Sequence, residues 1–352
     1  MSISPRFINR GFFFMSKTVV VAIDQSLDNY AVLGNRLRLM SAEDVIYDIY
    51  IHNDPMANQD NTGLRLNFDI LIDGGYGRKD WADILPKRNH HHRPRFTKDI
   101  QALKLAAEYK NWLSMPENRL RNFIPIPTWS VGWNGRNYPV TDTPVVVKSL
   151  DGARGIGQFV VKTEHVNLNY FLSELKYTLS QELVDDTVPK FLERFEGNVI
   201  YGGGDENYVN EGLVTMRDQG YFVQSLVPDV KVEYRIITDT NSVPKYFQRR
   251  KVRDVDSAYP QATGSGSVVD KEAILTAEAF YAESNVSSAF FEHVCRTVIG
   301  PLSSIDVFIT SGEWGIFEYC NQFGISGIPA ATVTDLHKEH LLKVIQGALE
   351  NV

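Results

Sequence analysis

The chain has 352 residues, 43% hydrophobic and 22% charged; this is too long for one small domain, supplies enough apolar residues for a sizeable core and excludes a disordered chain. Its formal net charge of −7 argues against broad nonspecific binding to nucleic acid, while a local basic patch stays open. Two cysteines, Cys295 and Cys320, make neither a disulfide framework nor a metal-ligand spacing, and no apolar run reaches membrane-spanning length; the setting read from this is reducing and cytoplasmic.

Met1–Ser16 carries Arg6, Arg10 and the short run Gly11–Phe14 without an acidic residue. It reads as a flexible leader, with an organelle presequence as the alternative. From Lys17 strands and helices alternate: a strand over Thr18–Ile23, a helix over Asn29–Met40, and strands over Val45–Ile51 and Phe68–Ile72. That order predicts a small parallel-sheet domain. Gly74, Gly75 and Gly77 follow a strand's C-terminal end, where α/β sheets bind ligands, although a plain turn accounts for them as well. Pro86–Arg95, with His90, His91 and His92, reads as a basic linker rather than a metal site, because adjacent side chains do not converge on one ion. A helix begins after Thr97, its N-cap, with Ile100, Leu103 and Ala107 on one face.

The most informative stretch is Val145–Val161, V-V-V-K-S-L-D-G-A-R-G-I-G-Q-F-V-V. A β-branched strand ends near Lys148, a glycine-rich turn containing Gly155 and Gly157 follows, and a second strand returns. Glycines let backbone N–H groups approach phosphate oxygens, and a lysine at the hairpin's root adds a point charge. No G-x-x-x-x-G-K-[ST] motif is present, and a hairpin using glycine only to turn tightly is the plain alternative. Leu168–Leu183 reads as a helix with Leu172, Leu175 and Leu179 on a core stripe. Tyr201–Asn207, with Gly202, Gly203 and Gly204, reads as a surface insertion or a second phosphate loop.

Further on, Phe222–Val227 and Val232–Ile237 are short apolar strands, the second holding Arg235, which needs an anion there. Gln248–Arg253 is a basic strand in which Arg249, Lys251 and Arg253 share one face and Arg250 takes the other. Asp306 and Glu318 are carboxylates inside the apolar runs Ile305–Ile309 and Gly315–Gly324. Unpaired burial would cost several kcal/mol each, so a cation should lie between them, and Mg²⁺ suits oxygen ligands shared with phosphates. Asp335–Leu349 reads as an amphipathic helix.

Taken together, V-V-V-K-S-L-D-G-A-R-G-I-G-Q-F-V-V, F-V-Q-S-L-V-P-D-V-K-V-E-Y-R-I-I and I-D-V-F-I-T-S-G-E-W-G-I-F-E-Y-C-N-Q-F-G-I-S-G-I-P resemble the ATP-grasp superfamily, within it the RimK-like amino-acid ligases, over roughly residues 95–335. The resemblance implies an α/β fold with α+β lobes: a leader 1–16, an N-terminal parallel α/β domain with linker 17–95, a first lobe 96–237 and a second lobe 238–352. It implies ATP held by Lys98 and Lys148, by the lid glycines Gly155 and Gly157, and by backbone groups of Gln224, Ser225, Leu226 and Val227, with Asp229 toward the ribose. For Lys98 a surface lysine, and for Asp229 an exposed turn, are the alternatives. Arg235, Arg249 and Arg250 would serve the transferred phosphoryl group, Arg249 first. Asp306, Glu318 and Asn321 would ligate Mg²⁺, as one ion or two, with Mn²⁺ able to substitute. The Glu-x-x-Asn spacing departs from the family's Glu-x-Asn, and a bulge at Tyr319–Cys320 would restore convergence.

The implied activity is an ADP-forming carboxylate–amine ligase working through an acyl phosphate. Its partners would be a carboxylate donor and an amine acceptor, small molecule or peptide, with a homo-oligomer as a common family assembly and no membrane. A small-molecule kinase and a non-catalytic nucleotide-binding scaffold are the other readings.

Overall fold

A computed structural model describes residues 18–24, 36–40, 46–52, 70–73, 90–92, 97–118, 120, 122–130, 143–150, 157–184, 186–201, 209–250, 271–301, 303–320, 334, 335, 338, 339, 342 and 345. The chain divides into two compact units, 1–94 together with 324–352, and 95–323.

In the first unit, β1 (Thr18–Asp24), β2 (Arg36–Met40), β3 (Ile46–His52), β4 (Ile70–Asp73) and β5 (His90–His92) form one sheet in the order β2-β3-β1-β4-β5. β1 runs parallel to β3 and β4, β4 runs parallel to β5, and β2 is antiparallel to β3. Two expectations are corrected here. Arg36–Met40 is a strand and not part of a helix, because the alternation R-L-R-L has the period of a strand and β3 pairs with it. His90–His92 is a strand and not a linker, since its backbone pairs with Leu71–Asp73. The leader, Gly74, Gly75, Gly77 and the remaining linker residues lie outside the described residues.

The second unit holds two antiparallel five-stranded sheets. One contains β6 (Thr128–Ser130), β7 (Val145–Ser149), β8 (Gln158–Val161), β9 (Val199–Tyr201) and β10 (Tyr221–Ser225), in the order β6-β10-β7-β8-β9. Its apolar face, with Val145, Val147, Phe159 and Val161, packs on Phe171, Leu172 and Leu175, on Phe191, and on Leu213 and Met216. These come from three helices that follow α1 (Lys98–Ser114): α2 (Leu168–Leu179), α3 (Thr187–Glu193) and α4 (Val209–Gln219). The expected stripe Leu172, Leu175, Leu179 is buried, and Asn167 caps α2 by accepting from the Tyr170 N–H at 3.1 Å.

The other sheet runs β13-β12-β11-β14-β15, from β11 (Val232–Thr238), β12 (Pro244–Arg250), β13 (Lys271–Leu275), β14 (Ser304–Ile309) and β15 (Trp314–Cys320). Tyr234, Ile236, Phe247, Ile305, Val307, Trp314, Ile316 and Tyr319 form its apolar face. α1, α5 (Ala277–Ser284), α6 (Ser288–Val294) and a π-helical turn, Cys295–Ile299, cover that face with Leu105, Phe280, Phe290, Phe291 and Cys295. Each buried Phe contributes on the order of 2–3 kcal/mol through apolar area alone.

α1 is longer than the sequence pattern suggested and turns a different face inward. Leu105, Tyr109 and Trp112 pack on the second sheet, whereas Ile100 and Leu103 are exposed. The expected N-cap Thr97 makes no side-chain cap bond. The extra residues around Trp112–Asn122 serve packing as well: Trp112 lies against Phe290 and His293, and Leu120 joins the core.

Gly315 in β15 shows how closely the second sheet is packed. A Cβ there would meet the Phe308 ring and lie 2.7 Å from the Ile124 carbonyl oxygen, while one on Gly312 would meet nothing within 4 Å. Gly315→Ala should therefore cost about 2 kcal/mol or more in urea unfolding, and Gly312→Ala should stay within about 0.5 kcal/mol of the parent. Equal behaviour of the two variants would contradict the packing.

Candidate active site

Strand alternation sorts the second sheet into an apolar face and a charged one. Opposite the core residues Tyr234 and Ile236, β11 carries Glu233 and Arg235; β14 carries Asp306 beside the core residues Ile305 and Val307. Cross-strand pairing then sets Arg250 against Glu233, Gln248 against Arg235, Arg235 against Asp306 and Asp306 against Glu318. One row of polar side chains therefore crosses four strands.

The centre of that row is a two-pronged ion pair. Arg235 donates from Nε and Nη2 to the two Asp306 oxygens, both at 2.8 Å, and Arg250 Nη1 lies 3.6 Å from Asp306 Oδ1. Burial pushes the Asp306 carboxyl up, but the charge and hydrogen bonds of Arg235, with Arg250 and Lys98 behind, hold it below the usual carboxylate range. Burial likewise pulls the Arg235 guanidinium down, and Asp306 more than restores it. Arg250, without such a bidentate partner, is lowered by burial, and its Nε has no hydrogen-bond partner among the described residues.

Arg249, the first choice among the arginines on sequence, stands opposite Tyr234, on the core face. Its Nη1 is 3.7 Å from Glu283 Oε2, beside the Tyr234 hydroxyl that donates to Glu283 Oε1 at 2.7 Å. Of the two, Arg250 is the one beside Asp306.

β15 solves a spacing problem by a bulge. Asp306 pairs with Glu318 and Val307 with Ile316, so Phe317 is the extra residue. Ile316 and Tyr319 both lie in the core, which leaves Phe317 and Glu318 together on the charged side. From Glu318 through Cys320 the register is regular, so the irregularity precedes Glu318 and does not fall at Tyr319–Cys320. Asn321 lies outside the described residues.

α1 and the first sheet complete the cluster. Lys98, first residue of α1, places Nζ 2.6 Å from Glu318 Oε2, and its backbone N–H donates to the Leu150 carbonyl at 3.1 Å, just past β7. Gln101 Oε1 accepts from the Tyr319 N–H at 3.3 Å, and Ser130 of β6 donates to Asp99 at 2.6 Å. The first turn of α1 is thereby attached to both sheets.

Lys148 stands opposite Phe222 on the face of β7 turned away from the helices. Its Nζ donates to Gln224 Oε1 at 2.9 Å and sits 5.9 Å from the Phe317 ring centroid. Gln224, 3% exposed, is in turn fixed by donating to Thr128 Oγ1 at 3.1 Å. Burial lowers the Lys148 ammonium to about 8, against a smaller opposing pull from Glu318. A neutral amide is thus the direct partner of a buried cation.

The expected adenine-binding stretch follows. The N–H groups of Ser225 and Leu226 donate to the Pro127 and Pro144 carbonyls, each at 2.9 Å, and Val227 packs with Ile126 and Phe308. Asp229 is in the left-handed region at φ +59°, accepts from Lys231 and, at 2.7 Å, from Ser311, and is held below the usual carboxylate range by those bonds. Between the ends of β7 and β8 the Ser149 N–H donates to the Gly157 carbonyl at 3.1 Å. Gly157, at φ +71°, lies so close to Gly212 of α4 that a Cβ would reach 2.9 Å from its carbonyl oxygen. Gly155 and the Gly202–Asn207 loop lie outside the described residues.

Among the described residues the formal count in the cluster is four cations, Lys98, Lys148, Arg235 and Arg250, against three carboxylates, Glu233, Asp306 and Glu318. Such a site favours an anion. Among the described residues no group of three His, Cys, Asp or Glu side chains could hold a metal ion alone; a divalent cation would have Asp306 and Glu318 and would need further oxygens from phosphate or water. A surface cleft of about 180 Å³ beside α2 and α3, lined by Tyr177, Val184 and Phe191 among others, contains none of these residues.

Sequence reading missed two members of the cluster, Glu233 and Phe317, and gave a third, Gln224, only a backbone role. Gln224 acts through its side chain, and a polar residue inside an apolar strand was the available signal. Glu233 carried the same signal. Phe317 carried none, because a bulge is a property of the pairing.

Sequence comparison matches the chain to no family model and to no curated relative. In structure it is similar to D-alanine–D-alanine ligase from Bacillus anthracis complexed with ATP, at 10% identity and a TM-score of 0.46, over 96% of this chain and 100% of that one. It is also similar to L-amino acid ligase from Bacillus licheniformis, at 13% identity and a TM-score of 0.42, over 95% and 75% of the two chains. A third is N5-carboxyaminoimidazole synthetase from Staphylococcus aureus, at 12% and 0.41, over 93% and 77%. No helix among the described residues is long and apolar enough to cross a membrane.

The Lys148 environment has a measurable signature. Between pH about 8 and 10.5 the unfolded chain keeps this proton while the folded chain releases it, so stability gains a term that rises with pH across that window. The urea-unfolding free energy of the parent minus that of Lys148→Met should rise by about 3 kcal/mol over this range. A flat difference would mean that Lys148 is not desolvated.

Proposed function

We propose that the chain is an ATP- and Mg²⁺-dependent carboxylate–amine ligase of the ATP-grasp type. The observation that carries this reading is the cluster just described: Lys98 and Lys148 approach Glu318 and Phe317 from outside the second sheet, on the face where Arg235, Arg250, Asp306 and Glu318 stand together. It is a cationic, largely buried place in which the carboxylates Asp306 and Glu318 stand side by side, suited to a polyphosphate and its counter-ion.

In this reading Lys148 and Lys98 bind phosphate oxygens, and Gln224 orients Lys148. The glycine hairpin, rooted at Gly157, covers the phosphates and excludes water, which an acyl phosphate requires. With the N–H groups of Ser225 and Leu226 already used, adenine recognition falls to Val227 and to carbonyl edges of the stretch. Asp306 and Glu318 would hold Mg²⁺, which when bound neutralises phosphate charge during transfer. Arg235 stays locked on Asp306 as a positioning residue. Arg250, its Nε unpaired among the described residues, offers its donors to the transferred phosphoryl group. A substrate carboxylate attacks the γ-phosphorus, ADP leaves, an amine then attacks the acyl carbon, and phosphate departs. The protein's share is positioning and charge stabilisation.

The test is ATP turnover with Mg²⁺ against pooled amino acids and small carboxylates, reading ADP, phosphate and product mass together. Substrate-dependent ADP and phosphate with a condensation product are expected, and Lys148→Ala should lose about 100-fold or more. A phosphorylated product without free phosphate would replace the ligase by a kinase, and nucleotide binding without turnover would leave a scaffold.

The two neighbouring arginines separate catalysis from packing. Arg250→Ala should lower kcat by about 10²–10³-fold, whereas Arg249→Ala should keep kcat within about threefold and act on stability through Glu283. The reverse ranking would contradict the assignment of faces.

A further inference from the structure

Of the cluster's carboxylates, the paired Asp306 and Glu318 are not free to receive a cation. Asp306 has both oxygens on Arg235, and Glu318 holds Lys98 at 2.6 Å. Arg250 lies 3.6 Å from Asp306, and among the described residues no third acidic group joins them to make a cation site. A divalent ion arriving alone would have to displace Lys98 while the surrounding cations outnumber the carboxylates. Lys98, however, is held by one ion pair among the described residues, to Glu318, and its side chain is 17% exposed, whereas Arg235, 20% exposed, is fixed by two bonds to Asp306 and Arg250 is only 7% exposed; a polyphosphate can draw Lys98 away.

We propose that Lys98 is an exchange residue that makes divalent-cation binding contingent on nucleotide. In the free protein it occupies Glu318. When a polyphosphate enters, Lys98 moves from carboxylate to phosphate, and Glu318 is released to the cation that the phosphates bring with them. Metal and nucleotide thus bind cooperatively, and the metal does not wait in the site. This rests on the nucleotide reading above but is tested separately from it.

The experiment measures Mn²⁺ binding to the full chain by loss of the free-ion electron paramagnetic resonance signal, with and without adenylyl imidodiphosphate. The parent should bind Mn²⁺ alone at least about tenfold more weakly than in the presence of the nucleotide analogue. Lys98→Met should bind Mn²⁺ alone at least about tenfold more tightly than the parent, and adding Glu318→Gln should abolish that gain. Lys148→Met removes the same charge, which acts on Glu318 only at longer range and without an ion pair, so its gain should stay below about threefold. A second variant approaches the pair from the other side: in EDTA, Glu318→Gln should bind the analogue more tightly than the parent, because Lys98 no longer has a competing carboxylate, and Mn²⁺ should then add little.

Parent binding of Mn²⁺ that is equally tight with and without the analogue overturns the proposal. So does an equal gain from Lys98→Met and Lys148→Met, which would mean general charge and not the pair. If the analogue binds none of the proteins, the nucleotide reading fails and the exchange fails with it, while the Mn²⁺-alone comparison still reports whether Lys98 blocks Glu318.

Discussion

The bidentate pair between Arg235 and Asp306 is the contact on which the second sheet depends. The two residues face each other across neighbouring strands at the middle of the sheet, with an aromatic core on the other side of the same backbone. A lone carboxylate there would take up a proton or unfold its surroundings, and a lone guanidinium would leave five donors unmet. Paired, they let a charged row exist on one face of a sheet whose other face is closed by α1, α5 and α6. Removing either partner from such a pair costs about 3–5 kcal/mol, so the row behaves as one unit.

Around that pair the cluster is built by geometry that no single residue supplies. The bulge at Phe317 puts an aromatic ring and a carboxylate side by side, the ring near Lys148 and the carboxylate on Lys98. α1 makes the second connection, since its first turn reaches Leu150 and Ser130 of one sheet and Glu318 and Tyr319 of the other. Among the described residues the balance of charges leaves one cation in excess, and the direct partner of Lys148 is a neutral amide. These facts favour an anion that brings its own cation over a resident metal centre.

Much of this was legible in the residues. Asp306, Glu318 and Arg235 were each singled out because a charge inside an apolar strand demands a partner, and they are in fact neighbours on one face. Lys148 was singled out by its position at the root of a glycine turn, and it does face away from the helices. The helix α2 and its leucine stripe followed from a 3.6-residue period. Where reading failed, a competing interaction had decided. Arg36–Met40 pairs with a neighbouring strand, and His90–His92 was ordered by backbone bonds to β4 in spite of a sequence that reads as a linker. Ile100 and Leu103 share a face, but Leu105, Tyr109 and Trp112 had an aromatic partner surface and took the buried one.

The sequence by itself determined which side chains alternate, and hence that Arg235, Asp306 and Glu318 had to be buried charges or face something ionic. It also determined that the chain is too long for one small domain and that Lys148 ends a β-branched strand before glycines. Only the tertiary structure decided the partners: Arg250 over Arg249 beside Asp306, Lys98 on Glu318, Gln224 on Lys148, and Phe317 as the extra residue. The reason is that alternation is local, set by the backbone of one strand, whereas register, bulges and ion pairs are set between strands that lie far apart in the chain.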